Sequence, residues 1–231
     1  MRTVVVVPAY RERENLPYLV TGIFTAAPGA DVLIVDDASG DGTPEWVRAH
    51  GDFEKRLFLL ARPGKAGLAP ALTAGYAWAL ENGAARIAQM DADLSHDPAD
   101  LPRLLAELDE ADLVIGSRYC EGGGVRDWSW WRLRLSRFAG SYVRFWTSLP
   151  VADPTAGFRA FRADVLRQIL AKTTRCDGYG FQVEVAYAAW RAGAVLREIP
   201  IIFHERRQGS SKLSLRIIFE SVLRIPVLRR T

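Results

Sequence analysis

The run Thr3-Val4-Val5-Val6-Val7-Pro8-Ala9-Tyr10 places four valines together with no polar residue among them. β-Branched side chains favour extended backbone, and a strand without polar alternation has both faces covered, as in a parallel sheet beneath helices. Val32-Leu33-Ile34-Val35-Asp36 repeats the pattern, and Leu57–Ala61, Arg86–Met90 and Asp112–Ser117 supply further candidate strands. Helix signals lie between them. Asn15-Leu16-Pro17 sets a proline in a first turn. Thr43-Pro44-Glu45 reads as an N-cap followed by proline. Ala69 to Asn82 stops at Gly83, and Asp97-Pro98 opens a helix to about Glu110. This alternation predicts an α/β fold with a mostly parallel sheet. Beyond Ser117 the pattern loosens. Gly122-Gly123-Gly124 predicts a flexible loop and Gly157–Arg162 a hairpin-like segment. Helices over Ala163–Lys172 and Phe181–Ala192, a strand over Val195–Phe203 and a polar loop, His204–Lys212, come next. A last helix starts near Leu213.

With 231 residues, 49 % of them hydrophobic and 25 % charged, the chain has globular composition and is long enough for a core without staples. Cys120 and Cys176 lack disulfide-framework or metal spacing and read as reduced thiols of a cytosolic protein. The apolar stretch after Met1-Arg2-Thr3 is too short for a signal peptide, and no run reaches the ~20 apolar residues of a spanning helix. The net charge of +3 hides an asymmetry: residues 1–110 carry −7 and residues 111–231 carry +10. The basic half suits an anionic partner, whether nucleic acid, phospholipid or a phosphorylated ligand. The acidic half suits a cation.

In an open α/β sheet, ligands sit outside the carboxyl ends of the strands. There the chain carries Tyr10-Arg11-Glu12, Asp36-Asp37 and Asp91-Ala92-Asp93. Asp91 and Asp93 diverge if the strand continues but converge on one cation if it turns. Hard oxygen donors with open positions suit Mg²⁺ or Mn²⁺ bridging to a diphosphate. The plainer reading makes Asp93 a helix cap and Asp91 a surface turn residue. His96 reads as a loop residue, since imidazole is a poor partner for a hard cation. Asp41, Ser39 and two glycines make an ordinary turn, but two acids ending a hydrophobic strand also suit contacts to a nucleobase or ribose. The dinucleotide-binding glycine fingerprint, the P-loop and the nucleophile elbow are all missing from the sequence.

Six blocks in order resemble the family 2 glycosyltransferases of the GT-A (Rossmann-like) fold, and more closely the polyprenol (dolichol) phosphate mannose synthases. They are Val7–Leu16, Val35–Thr43, Met90–His96, Gly116-Ser117-Arg118-Tyr119, Asp153-Pro154-Thr155-Ala156-Gly157-Phe158-Arg159 and Arg206–Lys212. The resemblance implies that Pro8, Tyr10, Glu12, Val35, Asp37 and Lys65 hold the nucleoside end of GDP-mannose. It implies that Asp91, Ala92 and Asp93 address the diphosphate, with Asp91, Asp93 and Ser95 around a Mg²⁺ or Mn²⁺ ion. Arg206 and Lys212 would close over the donor. Some relatives carry Gln where Ser95 stands, and many continue into membrane helices or a partner domain. The Gln-x-x-Arg-Trp block of processive polysaccharide synthases is missing.

On a helix, Arg132 and Ser136 are four apart and share a face. With Arg118 they can hold a phosphate monoester through charge-assisted hydrogen bonds, and the resembled family binds its lipid phosphate at the matching positions. Trp128, Trp130, Trp131, Phe138, Phe145 and Trp146 are either core or an interfacial belt for a bilayer. Arg216, Glu220 and Arg224 stripe an otherwise apolar last helix, which meets protein or membrane equally well. The expectation is a GT-A domain over 1–212, with a nucleotide-sugar half at 1–117 and an acceptor half at 118–212, and a basic amphipathic extension over 213–231. It acts on GDP-mannose and polyprenyl (dolichyl) phosphate as a peripheral enzyme on the cytoplasmic face of a membrane, beside a membrane-embedded partner in some relatives, and not on nucleic acid. Its catalytic set is Asp91, Asp93, Arg118, Arg132 and Lys212. The alternatives are a UDP-glucose donor, or a non-catalytic nucleotide-sugar or membrane adaptor.

Overall fold

A computed structural model describes residues 1–171, 179–205 and 224–228. Strands β1 (Thr3–Ala9), β2 (Ala30–Asp36), β3 (Leu57–Ala61), β4 (Arg86–Gln89), β5 (Leu113–Ser117), β7 (Arg159–Arg162) and β8 (Leu196–Pro200) form one sheet in the order β3-β2-β1-β4-β7-β5-β8. β1 pairs in parallel with β2 and β4, as do β2 with β3 and β5 with β8; β7 runs antiparallel to both its neighbours. The short strands β6 (Gly124–Val125) and β9 (Ile202–Phe203) pair in parallel beside it.

The valine run explains the layering. Val4 and Val6 face Leu72 and Tyr76 of helix α3 (Leu68–Glu81), while Val5 and Val7 face Leu19 and Ile23 of α1 (Leu16–Ala26) and Leu101 of α4 (Leu101–Ala106). All four valines are fully buried, each contributing roughly 1.5–3 kcal/mol of apolar burial. Helix α3 lies so close that a Cβ on Gly75 would sit 2.5 Å from a methyl of Val6. Helices α2 (Thr43–Ala49), α5 (Trp130–Thr147), α6 (Ala163–Leu170) and α7 (Tyr179–Arg191) complete the described elements.

Several expectations need correction. Thr43 is the first helical residue and not the cap: the chain enters α2 through Gly42 at φ +85°, and Asp41 accepts from the Thr43 N–H. Gly157–Arg162 is no hairpin but the lead-in to β7, a single strand wedged between β4 and β5. Gly122–Gly124 is anchored, since Gly124 begins β6. The strand Val195–Phe203 is broken at Ile201 into β8 and β9, and the helix from Asp97 is α4 flanked by two 3-10 turns. Of the last helix, 224–228 is helical with Ile225 and Leu228 buried in the core. Arg206, Lys212, Arg216, Glu220 and Cys176 lie outside the described residues.

Candidate active site

The chain leaves β1 for β2 on one side and later returns to β4 on the other, so a switch point falls between β1 and β4. The carboxyl ends of β1, β2 and β4 surround it, where ligands of such sheets bind. On the β2 side the acids organise loops. Asp36 accepts from the N–H and hydroxyl of Ser39. Asp37 takes Arg62 Nη1 at 2.5 Å and the N–H groups of Ala66 and Gly67 at 3.1 and 2.8 Å. This draws in the segment carrying Lys65, whose ammonium lies 4.0 Å over the ring of Tyr10. Glu12 accepts from Asn15, and Val35 is wholly buried in the core beneath α3. An open depression of about 580 Å³, lined by Asp36, Ala38, Gly40, Arg48 and Arg62 among others, lies at this end of the sheet.

At the end of β4 the chain turns. Leu94 has φ +61°, and Asp93 Oδ1 accepts from the N–H of Ser95 at 3.1 Å. That reversal is the condition under which Asp91 and Asp93 converge. Both carboxylates act on one ring, that of His96, which is buried, stacked on Phe158 and accepts weakly from the Asp91 N–H. Burial lowers the His96 pKa against the pull of the two acids, keeping the ring neutral. His96 lies in the loop after β4, as its sequence reading has it, and is also packed within the fold beside the acids. Ser95 is fully buried, and its hydroxyl has no hydrogen-bond partner among the described residues.

Among the described residues no three His, Cys, Asp or Glu side chains form a metal cage. Two carboxylates beside an unpartnered buried hydroxyl nevertheless fit a hard divalent ion that takes its other ligands from a diphosphate and water.

The arginines lie close by. Asp153, wholly buried, takes Arg118 Nε and Nη2 at 2.6 and 2.7 Å, and the Arg118 N–H at 3.1 Å. Burial raises the Asp153 pKa, but the bonds and charge of Arg118 outweigh it and hold it below the usual carboxylate range. The Arg118 guanidinium lies 5.1–5.7 Å from the ring centres of Tyr119, Trp128 and Phe203, and Arg132 lies 4.1 Å over Trp128. Tyr119 bonds the Ser136 hydroxyl at 2.7 Å, and Arg132 pairs with Glu205. Arg118, Arg132 and Ser136 are thus gathered around two aromatic rings.

One loop joins this cluster to the acids. Asp153 at its start holds Arg118, and Gly157 at its end is so close to Asp91 that a Cβ there would meet the carboxylate oxygens at 3.1–3.2 Å. The sequence alone left Asp153 without a firm role and singled out neither Glu198 nor Arg159 as a site residue. Asp153 and Arg159 lie inside a quoted motif, whereas Glu198 sits in the unremarkable run Leu196-Arg197-Glu198-Ile199.

Away from this cluster, Trp130, Trp131, Leu135, Phe138 and Phe145 of α5 are all more than half exposed. At helical spacing Trp131, Leu135, Phe138 and Phe145 share one outward face, with Arg134 along its flank. These rings are not core.

The chain has the mostly parallel, helix-flanked sheet of the GT-A fold. Its sheet and helices match glucosyl-3-phosphoglycerate synthase of Mycobacterium tuberculosis, solved with Mn²⁺, UDP and phosphoglyceric acid, with a TM-score of 0.71 over 99 % of this chain and 77 % of that one, at 17 % identity. Residues 4–170 match the model of glycosyl transferase family 2, and the chain belongs to that family. It is 43 % identical to the polyprenol monophosphomannose synthase of Mycolicibacterium smegmatis over 97 % of this chain and 85 % of that protein. It is 42 % identical to the undecaprenyl-phosphate mannosyltransferase of Micrococcus luteus over 97 % and 93 % respectively.

Proposed function

We propose that the chain transfers mannose from GDP-mannose to a polyprenyl monophosphate, with inversion at the anomeric carbon, at a membrane surface. The names of the two relatives support the sugar and the acceptor class. The observation that carries the mechanism is the shared loop, with Asp153 on Arg118 and Gly157 against Asp91. This loop supports a reading in which the acids assigned to the donor and the arginines assigned to the acceptor act on one reaction centre.

Asp91 and Asp93 are the residues that would hold Mg²⁺ or Mn²⁺, with Ser95 beside them; the ion supplies charge neutralisation to a departing diphosphate. Arg118, Arg132 and Ser136 bind the acceptor phosphate. A phosphate monoester is already an anion at neutral pH, so these residues need only to orient it and no general base is required. Tyr10, Lys65 and the loop pinned by Asp37 border the nucleoside, and Arg206 with Lys212 is assigned to the donor by resemblance. Among the described residues no helix is long and apolar enough to cross a membrane. The outward aromatic face of α5 suits attachment at the interface, and the reading puts that attachment on the cytoplasmic side.

Purified protein given GDP-mannose, Mn²⁺ or Mg²⁺ and a short polyprenyl phosphate is expected to release GDP, and a chelator to stop it. Arg132→Ala is expected to lose most of this turnover. Transfer from UDP-glucose in preference to GDP-mannose would replace the donor assignment, and absence of turnover with every donor would make the chain an adaptor.

A further inference from the structure

Glu198 lies on β8, at the end of the sheet order and opposite Ile115 of β5. A charged residue on such a strand commonly faces solvent. This one turns inward: its Oε2 accepts the N–H of Ala152 at 2.7 Å and its Oε1 the N–H of Asp153 at 2.9 Å. Both carboxylate oxygens are thus spent on the two main-chain donors that open the Asp153–Gly157 loop. Asp153 then grips Arg118 by both side-chain oxygens.

The far side of the loop is fastened by Arg159, which is wholly buried and donates to the carbonyls of Pro154, Ala156 and Gln182 at 2.6–2.7 Å. Burial lowers its pKa to about 10, against the opposing pull of Tyr76, Asp153 and Glu198, so it stays a cation facing both acids. Glu198→Gln would set one oxygen against one of the two N–H groups and a donor NH2 against the other, and Glu198→Ala would accept from neither. Without both, the Asp153 main chain is released at the point where it sets the Arg118 guanidinium.

We propose that Glu198 is a positioning residue for acceptor recognition, acting through Asp153 on Arg118. The inference rests on the reading of Arg118 as a ligand of the acceptor phosphate. Steady-state turnover of the full chain is measured with GDP-mannose and a short polyprenyl phosphate, each varied in turn. Glu198→Ala is expected to raise the KM for the acceptor about tenfold, the scale of one misplaced charge-assisted hydrogen bond. The KM for GDP-mannose should stay within about twofold, because Glu198 holds only the Asp153 end of the loop while Arg159 keeps fastening the end beside Asp91. Glu198→Gln, which preserves shape and one acceptor, should recover part of the loss.

In an Arg118→Ala background, Glu198→Ala should add nothing further, since coupled residues are not additive. A rise in acceptor KM with Arg118→Ala but none with Glu198→Ala or Glu198→Gln overturns the proposal alone. So do fully additive effects, or an equal loss toward both substrates. If Arg118→Ala itself leaves the acceptor KM unchanged, the acceptor reading has failed and this inference falls with it.

Discussion

Asp153 and Arg118 are both nearly or wholly buried, so neither can be removed without stranding the other. Asp153→Ala is expected to destabilise the protein by about 3–5 kcal/mol, the usual consequence of leaving a buried charge unpaired, as read by denaturant unfolding. Because the native pKa of Asp153 is depressed, its contribution is present above the unfolded carboxylate value near 3.9 and fades as pH falls through the lower native value. The deficit of Asp153→Ala should therefore shrink when unfolding is repeated in acid. At the acidic pair the effect is on activity. Asp93→Ala should cut GDP release by at least the roughly 10–100-fold that even outer partners of a metal site supply. Titrating Mn²⁺ should not restore the full rate. Both acids were singled out in the sequence because they follow a buried strand, a position that serves a cap and a turn as well as a metal ion; the role given to them here belongs to the proposed function. His96 does lie in a loop, but its packing was not visible because its stacking partner, Phe158, is more than sixty positions away in the chain, and no local spacing reports such a contact.

Helix α5 has two unlike sides. Arg132 and Ser136 lie on the half-buried side with Gly140 and Val143, while Trp131, Leu135, Phe138 and Phe145 face outward. Aromatic–basic alternation was visible in the sequence, but whether the rings were core or surface depended on which side of the helix met the domain, a tertiary fact. Sedimentation with anionic vesicles should recover the wild-type protein. Phe138→Ser and Phe145→Ser should each weaken that binding about tenfold, the order expected for one phenyl group leaving an apolar phase, with an unchanged melting temperature. If both variants sediment like the wild type, α5 is not the attachment face. The strands of the first half were read closely because a buried parallel strand must be apolar throughout. β7 was not, since its antiparallel placement is imposed by neighbours far away in the sequence.

At the scale of the whole molecule, a charge of −7 over residues 1–110 and +10 over the remainder divides the chain into an acidic half and a basic half. Attraction of the basic half to an anionic surface is screened over about 10 Å at 0.1 M salt. Raising ionic strength should thus release the protein from vesicles well before it affects GDP release from a soluble short-chain acceptor. The GT-A architecture was legible because six blocks in order leave little freedom in how the sheet is wound. The linkage of the two halves through Asp153–Gly157 was not, because it depends on an ion pair between residues far apart in the chain and on the close approach of Gly157 to Asp91. The placement of β7 between β4 and β5 also bears on biogenesis. As the polypeptide leaves the ribosome, β1 to β4 can assemble, yet one flank of β4 has no neighbour until residue 162 has emerged. Nascent chains halted before that point present an open edge to one another and to chaperones, and translation pausing there should be a source of aggregates that the finished enzyme does not form.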